Sequence, residues 1–182
     1  MGLAGLAGLV GLVGLGCGGA AYGASRVHVP TPDERAALVG AEEYDPVMLE
    51  RLPDEWKSKR ITLFGVVLSR EAVPGEPSLV HLALSYRTLE DRNHCSGPSD
   101  STCRTTVGDV EQGRVHAWVR LSSPADEVGR DAVAPGSLVR VIGGLHAEAD
   151  RDDGKPIVRA TYYRHWPRGA WVTSAAADRT RR

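Results

Sequence analysis

The chain predicts a mainly β protein, a five-stranded Greek-key barrel with one helix between its third and fourth strands and one or two short helices ahead of it. Three observations point there. From Arg60 onward, short β-branched and apolar runs are separated by Gly, Pro and Asp turns. Within the runs, apolar and polar residues alternate, the period of a strand with one buried face. Between the third and fourth runs stands one helix-start signature, Ser123-Pro124.

The elements follow in order. Thr31-Pro32-Asp33-Glu34 opens a helix, with Thr31 as N-cap, Pro32 in the first turn and acids facing the helix dipole; it runs to about Glu43. A second helical piece, Asp45 to Leu52, is stopped by Pro53, and Trp56 docks just beyond. Residues 31–58 are thus a helical extension, and 59–172 are the barrel. Its first strand, Arg60 to Ser69, carries the single glycine of a bent strand. After a turn at Pro74-Gly75, the second strand, Ser78 to Arg87, turns Val80, Leu82, Leu84 and Tyr86 to the core. Leu89 to Gln112 is a long polar loop. The third strand, Arg114 to Leu121, turns Val115, Ala117, Val119 and Leu121 inward. The helix from Ser123 ends near Val133, and Leu138 to His146 is the fourth strand. Asp152-Asp153-Gly154-Lys155 is a hairpin turn into the fifth, Pro156 to Trp166. Residues 173–182, small, polar and basic, are expected as a flexible tail.

This strand order, with a helix between strands three and four, is that of an OB-fold. Local motifs resemble the same fold over about residues 60 to 168. Phe64-Gly65-Val66-Val67 is similar to its glycine-bent first strand. Pro135-Gly136-Ser137-Leu138-Val139-Arg140-Val141-Ile142-Gly143 is similar to its Gly-x-x-Val-x-Val-x-Gly fourth strand.

Ahead of the barrel, an uncharged Gly/Leu/Ala/Val run ends in Cys17. At about 14 apolar residues it is shorter than the ~20 needed to span a bilayer, and fits the core of an export signal. A cysteine set among glycines after such a run resembles the modified residue of bacterial lipoproteins. That likeness implies a signal peptide over 1–16, a lipidated Cys17 and a tether over 17–30. Gly14 stands where the pattern has Leu, and no Lys or Arg precedes Arg26. Cleavage after Gly23 and an uncleaved anchor remain as alternatives. Gly18, rather than Asp, follows Cys17, so the resemblance favours the outer membrane over the inner, with the protein facing the periplasm at the cell envelope. The remaining pair, Cys95 and Cys103, closes a short Gly/Pro/Ser loop and is expected as a disulfide. A metal site at His94, Cys95 and Cys103 has too wide a spacing and lacks a fourth ligand. Neither metal nor cofactor is expected.

Binding is sought on the outward side of strands two and three, where OB-folds seat ligands. That side presents His81, Ser85 and Arg87 with His116, Trp118 and Arg120; the competing reading is a solvated barrel wall. An aromatic among cations suits base stacking and phosphate contact. Against nucleic acid stand a net charge of −1, the inferred export and the acidic turn Asp150 to Asp153. A secondary candidate is Tyr163, His165 and Trp166. It is similar to the haem chaperones of cytochrome c maturation, exported OB barrels with a reactive His after the last strand. Their His-x-x-x-Tyr motif is incomplete here, since Gly169 takes the Tyr position. No nucleophile elbow, zinc-protease helix or phosphate-binding loop occurs, so no catalysis is expected. The chain thus resembles bacterial periplasmic OB-fold proteins and OB-fold lipoproteins. That implies a non-catalytic binding or scaffolding module, with the lipid bilayer and an envelope protein or glycan as partners. A haem or metal carrier and a nucleic-acid-binding OB-fold protein are the alternatives.

Overall fold

A computed structural model describes residues 28–90 and 103–180 of the chain. Cys17 and Cys95, the expected signal segment and most of the tether lie outside the described residues. The ordered elements are α1 (Pro32–Leu38), β1 (Ala41–Glu43), α2 (Pro46–Arg51), α3 (Pro53–Lys57), β2 (Arg60–Ala72), β3 (Leu79–Arg87), β4 (Thr105–Val107), β5 (Gly113–Arg120), α4 (Pro124–Glu127), β6 (Leu138–Leu145), β7 (Ile157–Trp166), β8 (Trp171–Thr173) and α5 (Ser174–Thr180). No helix among the described residues is long and apolar enough to cross a membrane.

The five long strands close an OB-fold barrel. The sheet runs β2-β3-β5-β7-β6 and returns to β2 through β6. The pairings are antiparallel except β5 with β7, which run parallel from His116↔Ile157 to Trp118↔Arg159. β2 is long enough to serve two neighbours, its first half pairing with β6 and its second with β3. Alternation sets the core as expected: Leu82, Leu84, Val115, Ala117, Val119, Val139 and Val141 have no solvent exposure. A second apolar cluster of Phe64, Val107, Leu138 and Trp166 lies on the other side of β2 and β6.

Several expectations are corrected. The first helix stops at Leu38 rather than near Glu43, because Gly40 (φ +71°) turns the chain and Ala41–Glu43 pair in parallel with Arg60–Thr62. Pro53 does not only end a helix; it occupies the first turn of α3, which buries Trp56. α4 is a single turn ending well before Val133. Arg70 Nη1 donates to the carbonyls of Asp126, Glu127 and Val133, satisfying acceptors that a longer helix would have used. The long polar loop contains β4, which pairs in parallel with β8 and buries Val107. The segment expected as a tail forms α5, with Ala177 buried.

α1 is fixed to the barrel through Glu34, which is fully buried. Thr31 caps α1 through a capping box with Glu34. The Glu34 carboxylate also accepts from Arg140 Nη1 at 2.8 Å and Arg164 Nη1 at 2.7 Å, and lies 3.3 Å from His28 Nε2. His28, at the end of the expected tether, therefore sits against the barrel, its ring edge-on to Phe64.

Candidate functional site

Strand alternation carries all six predicted face residues to the outward side of β3 and β5. The register sets His81 opposite Trp118 and Ala83 opposite His116, with Ser85 opposite Arg114. The small Ala83 leaves room beside His116, and the imidazoles of His81 and His116 stand 4.8 Å apart, centroid to centroid. Arg114, on the same row of β5, belongs to this face and was not among the expected residues.

The face has two cationic ends and a covered middle. At the ends, the cations are paired with surface acids. Arg114 Nε donates to Glu111 at 3.2 Å, and Arg120 Nη2 donates to Glu76 at 2.9 Å. Arg87 donates to the Ser85 hydroxyl and to the Asp109 carbonyl. Hydrogen bonding from Ser85, with Arg114 beside it, holds the Glu111 carboxyl below the usual range.

Between them the connection between β6 and β7 folds over the sheet. Pairing of β7 along β5 draws it in, and the Pro156 carbonyl accepts from the His116 amide at 2.9 Å. The turn is tied by the amides of Asp150 to Lys155 O and of Gly154 to Asp150 O. His146 stacks obliquely on the half-buried Trp118 at 4.8 Å. Asp150 comes against both histidines, its Oδ2 lying 3.5 Å from His81 Nε2 and 3.9 Å from His116 Nδ1. Asp153 Oδ2 meets the other ring nitrogen, His116 Nε2, at 3.1 Å. Burial works to raise the Asp153 pKa, but the Lys155 amide and His116 hold it below the ordinary value. Asp150 and Asp153 were read from the sequence as part of an acidic turn beside this face and not as partners of its histidines, and no local motif marks them otherwise.

The secondary candidates do not form a surface site. Trp166 is buried against Phe64. Tyr163 donates to Asp126 Oδ2 at 2.5 Å, and the same carboxylate lies 3.4 Å from His165 Nδ1. The His165 side chain is 6% exposed, so it offers no surface ligand to haem iron. Burial pushes its pKa down, against the attraction of Asp126. Cys103 begins the segment leading to β4, while its expected partner Cys95 lies outside the described residues.

Fold and site together define an OB-fold barrel with a mixed aromatic, basic and histidine face. Comparison with protein-family models and with curated proteins finds no match. Among solved structures, the barrel matches two of the protein priB from Ralstonia solanacearum. One is 19% identical and covers 59% of this chain and 97% of that one, with a TM-score of 0.32. The other is 20% identical and covers 58% and 95%, with the same TM-score. This finding corrects the expectation of a lipid-anchored envelope scaffold with a bilayer and an envelope protein or glycan as partners. It likewise corrects the expectation that nucleic acid is an unlikely partner. The likeness itself extends to the barrel and not to a ligand.

Proposed function

We propose that the protein binds single-stranded nucleic acid along the outward face of β3 and β5. The observation that carries this reading is the row Arg120, Trp118, His116, Arg114 along β5, with a half-buried indole standing between exposed guanidinium groups. Six residues of strand extend the row over about 20 Å. Arg87 adds a cation on the neighbouring strand. Single-strand binders combine these elements, an aromatic platform for bases and cations that follow the backbone. The acids paired with Arg114 and Arg120 do not block it. Such exposed pairs are worth about 0–1 kcal/mol each, so phosphates compete with them for the same guanidinium groups.

The test is fluorescence anisotropy of a labelled oligothymidylate over a salt series. Affinity is expected to fall with log salt at a slope of about −0.7 per phosphate neutralised. Trp118→Ala is expected to remove about 1–3 kcal/mol of stacking, a loss of roughly 5- to 150-fold. Arg114→Ala and Arg120→Ala should each flatten the slope by about 0.7. No binding at low salt, or binding unchanged in Trp118→Ala, overturns the reading.

A further inference from the structure

We propose that His81, His116 and Asp150 form a site for a divalent transition-metal ion of the zinc class. The three side chains come from β3, β5 and the turn before β7, and their ligand atoms lie within 4.8 Å of one another. Ligands about 2.0–2.1 Å from a tetrahedral zinc stand about 3.3 Å from each other. The 3.5 and 3.9 Å separations from Asp150 Oδ2 to the two imidazole nitrogens are a few tenths of an ångström longer than that, while the widest separation among the three ligand atoms is up to 4.8 Å. Binding therefore draws the two imidazoles together over Asp150.

The unused atoms point the same way. His81 Nε2 and His116 Nδ1 are buried and have no hydrogen-bond partner. A buried polar atom left unsatisfied costs about 1–3 kcal/mol, and here two such atoms face one carboxylate oxygen. One cation accepts all three lone pairs. Three neighbouring atoms are already engaged in the manner of supports around a metal. His116 Nε2 meets Asp153, which orients the ring so that Nδ1 presents its lone pair to the site. Asp150 Oδ1 accepts from the Asp152 amide at 3.0 Å, and Asp153 Oδ1 from the Lys155 amide at 2.9 Å. Each carboxylate is thus oriented by backbone, and Asp150 keeps Oδ2 for the ion.

Two imidazoles and one carboxylate favour zinc, copper, nickel or iron over magnesium or calcium, which take oxygen ligands. Three protein ligands leave at least one coordination position for water or a further ligand. That position belongs to the cleft of about 400 Å³ lined by Glu71, Trp118, His146 and Glu148. This inference does not rest on nucleic-acid binding. An occupied site would, however, offset the negative charge that the turn brings to the same face.

The experiment is calorimetric titration of Zn²⁺ into the full chain after chelator treatment, without any oligonucleotide, with Co²⁺ absorption as a second readout. One equivalent is expected to bind, and Co²⁺ should develop the visible bands of a low-symmetry N/O site. His81→Ala, His116→Ala and Asp150→Ala should each weaken this binding at least 100-fold. Asp153→Asn, which only alters the orienting hydrogen bond, should weaken it by about 10- to 100-fold. Zn²⁺ should raise the melting temperature of the wild type and not of a folded His81→Ala, as circular dichroism would verify. Absence of stoichiometric binding overturns the proposal. So does zinc binding that survives unchanged in His81→Ala and Asp150→Ala, which would place the ion elsewhere, the cysteines included.

Discussion

Replacing Glu34 with Gln removes the one negative charge that joins α1 to the barrel while keeping its size. Arg140 is 8% exposed; besides Glu34 its guanidinium reaches the Thr62 hydroxyl, at 3.0 Å, and the face of Phe64, and it attracts the Glu43 carboxylate through space without a hydrogen bond. Stripped of its hydrogen-bonded counter-ion, it becomes a buried charge compensated only by the longer-range attraction of Glu43. Breaking such a pair from one side costs about 3–5 kcal/mol, a large share of the roughly 5–15 kcal/mol that holds a domain folded. At about 2–4 °C per kcal/mol for a chain of this size, the melting temperature should fall by about 6–20 °C. Converting Arg140 to Met as well removes the stranded charge, so Glu34→Gln/Arg140→Met should recover much of the loss; the 29% exposed Arg164 can turn to water. The pH dependence gives a second handle. Burial alone would raise the Glu34 pKa, but hydrogen bonds from His28, Arg140, Arg164 and the Thr31 amide outweigh it and hold the carboxyl well below the usual range. A folded pKa below the unfolded value of about 4.3 gives stability that is present above that value and lost as pH falls toward the folded one. Guanidinium melts from pH 7 to pH 3 should therefore show a steeper acid loss in the wild type than in Glu34→Gln. A variant within about 0.5 kcal/mol of the wild type at pH 7, with the same acid slope, would refute the clamp.

Two further outcomes follow from the packing. A Cβ at Gly143 would lie 2.0 Å from the Arg159 carbonyl oxygen, whereas one at Gly144 meets nothing within 4 Å. Gly143→Ala, at the irregularity between β6 and β7, should cost at least about 1–3 kcal/mol because backbone must move. Gly144→Ala should be neutral or gain up to about 1 kcal/mol through the unfolded chain; equal urea midpoints for the two variants would count against the register. His165 is buried with its pKa lowered, so the unfolded chain takes up its proton first as pH falls. Stability present above about pH 6.5 should decline below it, and His165→Gln should flatten that part of the profile; an unaltered profile would show that His165 does not titrate on unfolding.

The barrel was legible because its strands alternate cleanly: Val80, Leu82, Leu84 and Tyr86 on one side, and Val115, Ala117 and Val119 across from them, are the core that the period predicts. Elements of three residues carry no period, which is why β4 was hidden inside a polar loop and β8 went unread at the end of the barrel segment. The polar sites were hidden for a different reason. Alternation says which side chains leave the core; it does not say what folds over them. Arg140 and Arg164 are paired residues on the outward side of β6 and β7, and α1 covers them with Glu34. His81 and His116 are outward on β3 and β5, and the turn before β7 covers them with Asp150 and Asp153. In both places a carboxylate from a covering segment meets nitrogens of the strands beneath, yet the two differ in what is left over. Around Glu34 the carboxylate is fully engaged by its donors, so the cluster is complete as a structural clamp. Around Asp150 two buried imidazole nitrogens still lack hydrogen bonds. Three ligands drawn from distant segments leave no spacing for a motif search to find. Single unpaired nitrogens also occur at Trp56 and His165; the site is marked instead by two of them converging on one carboxylate oxygen, which distinguishes it from a place built only to hold the chain together.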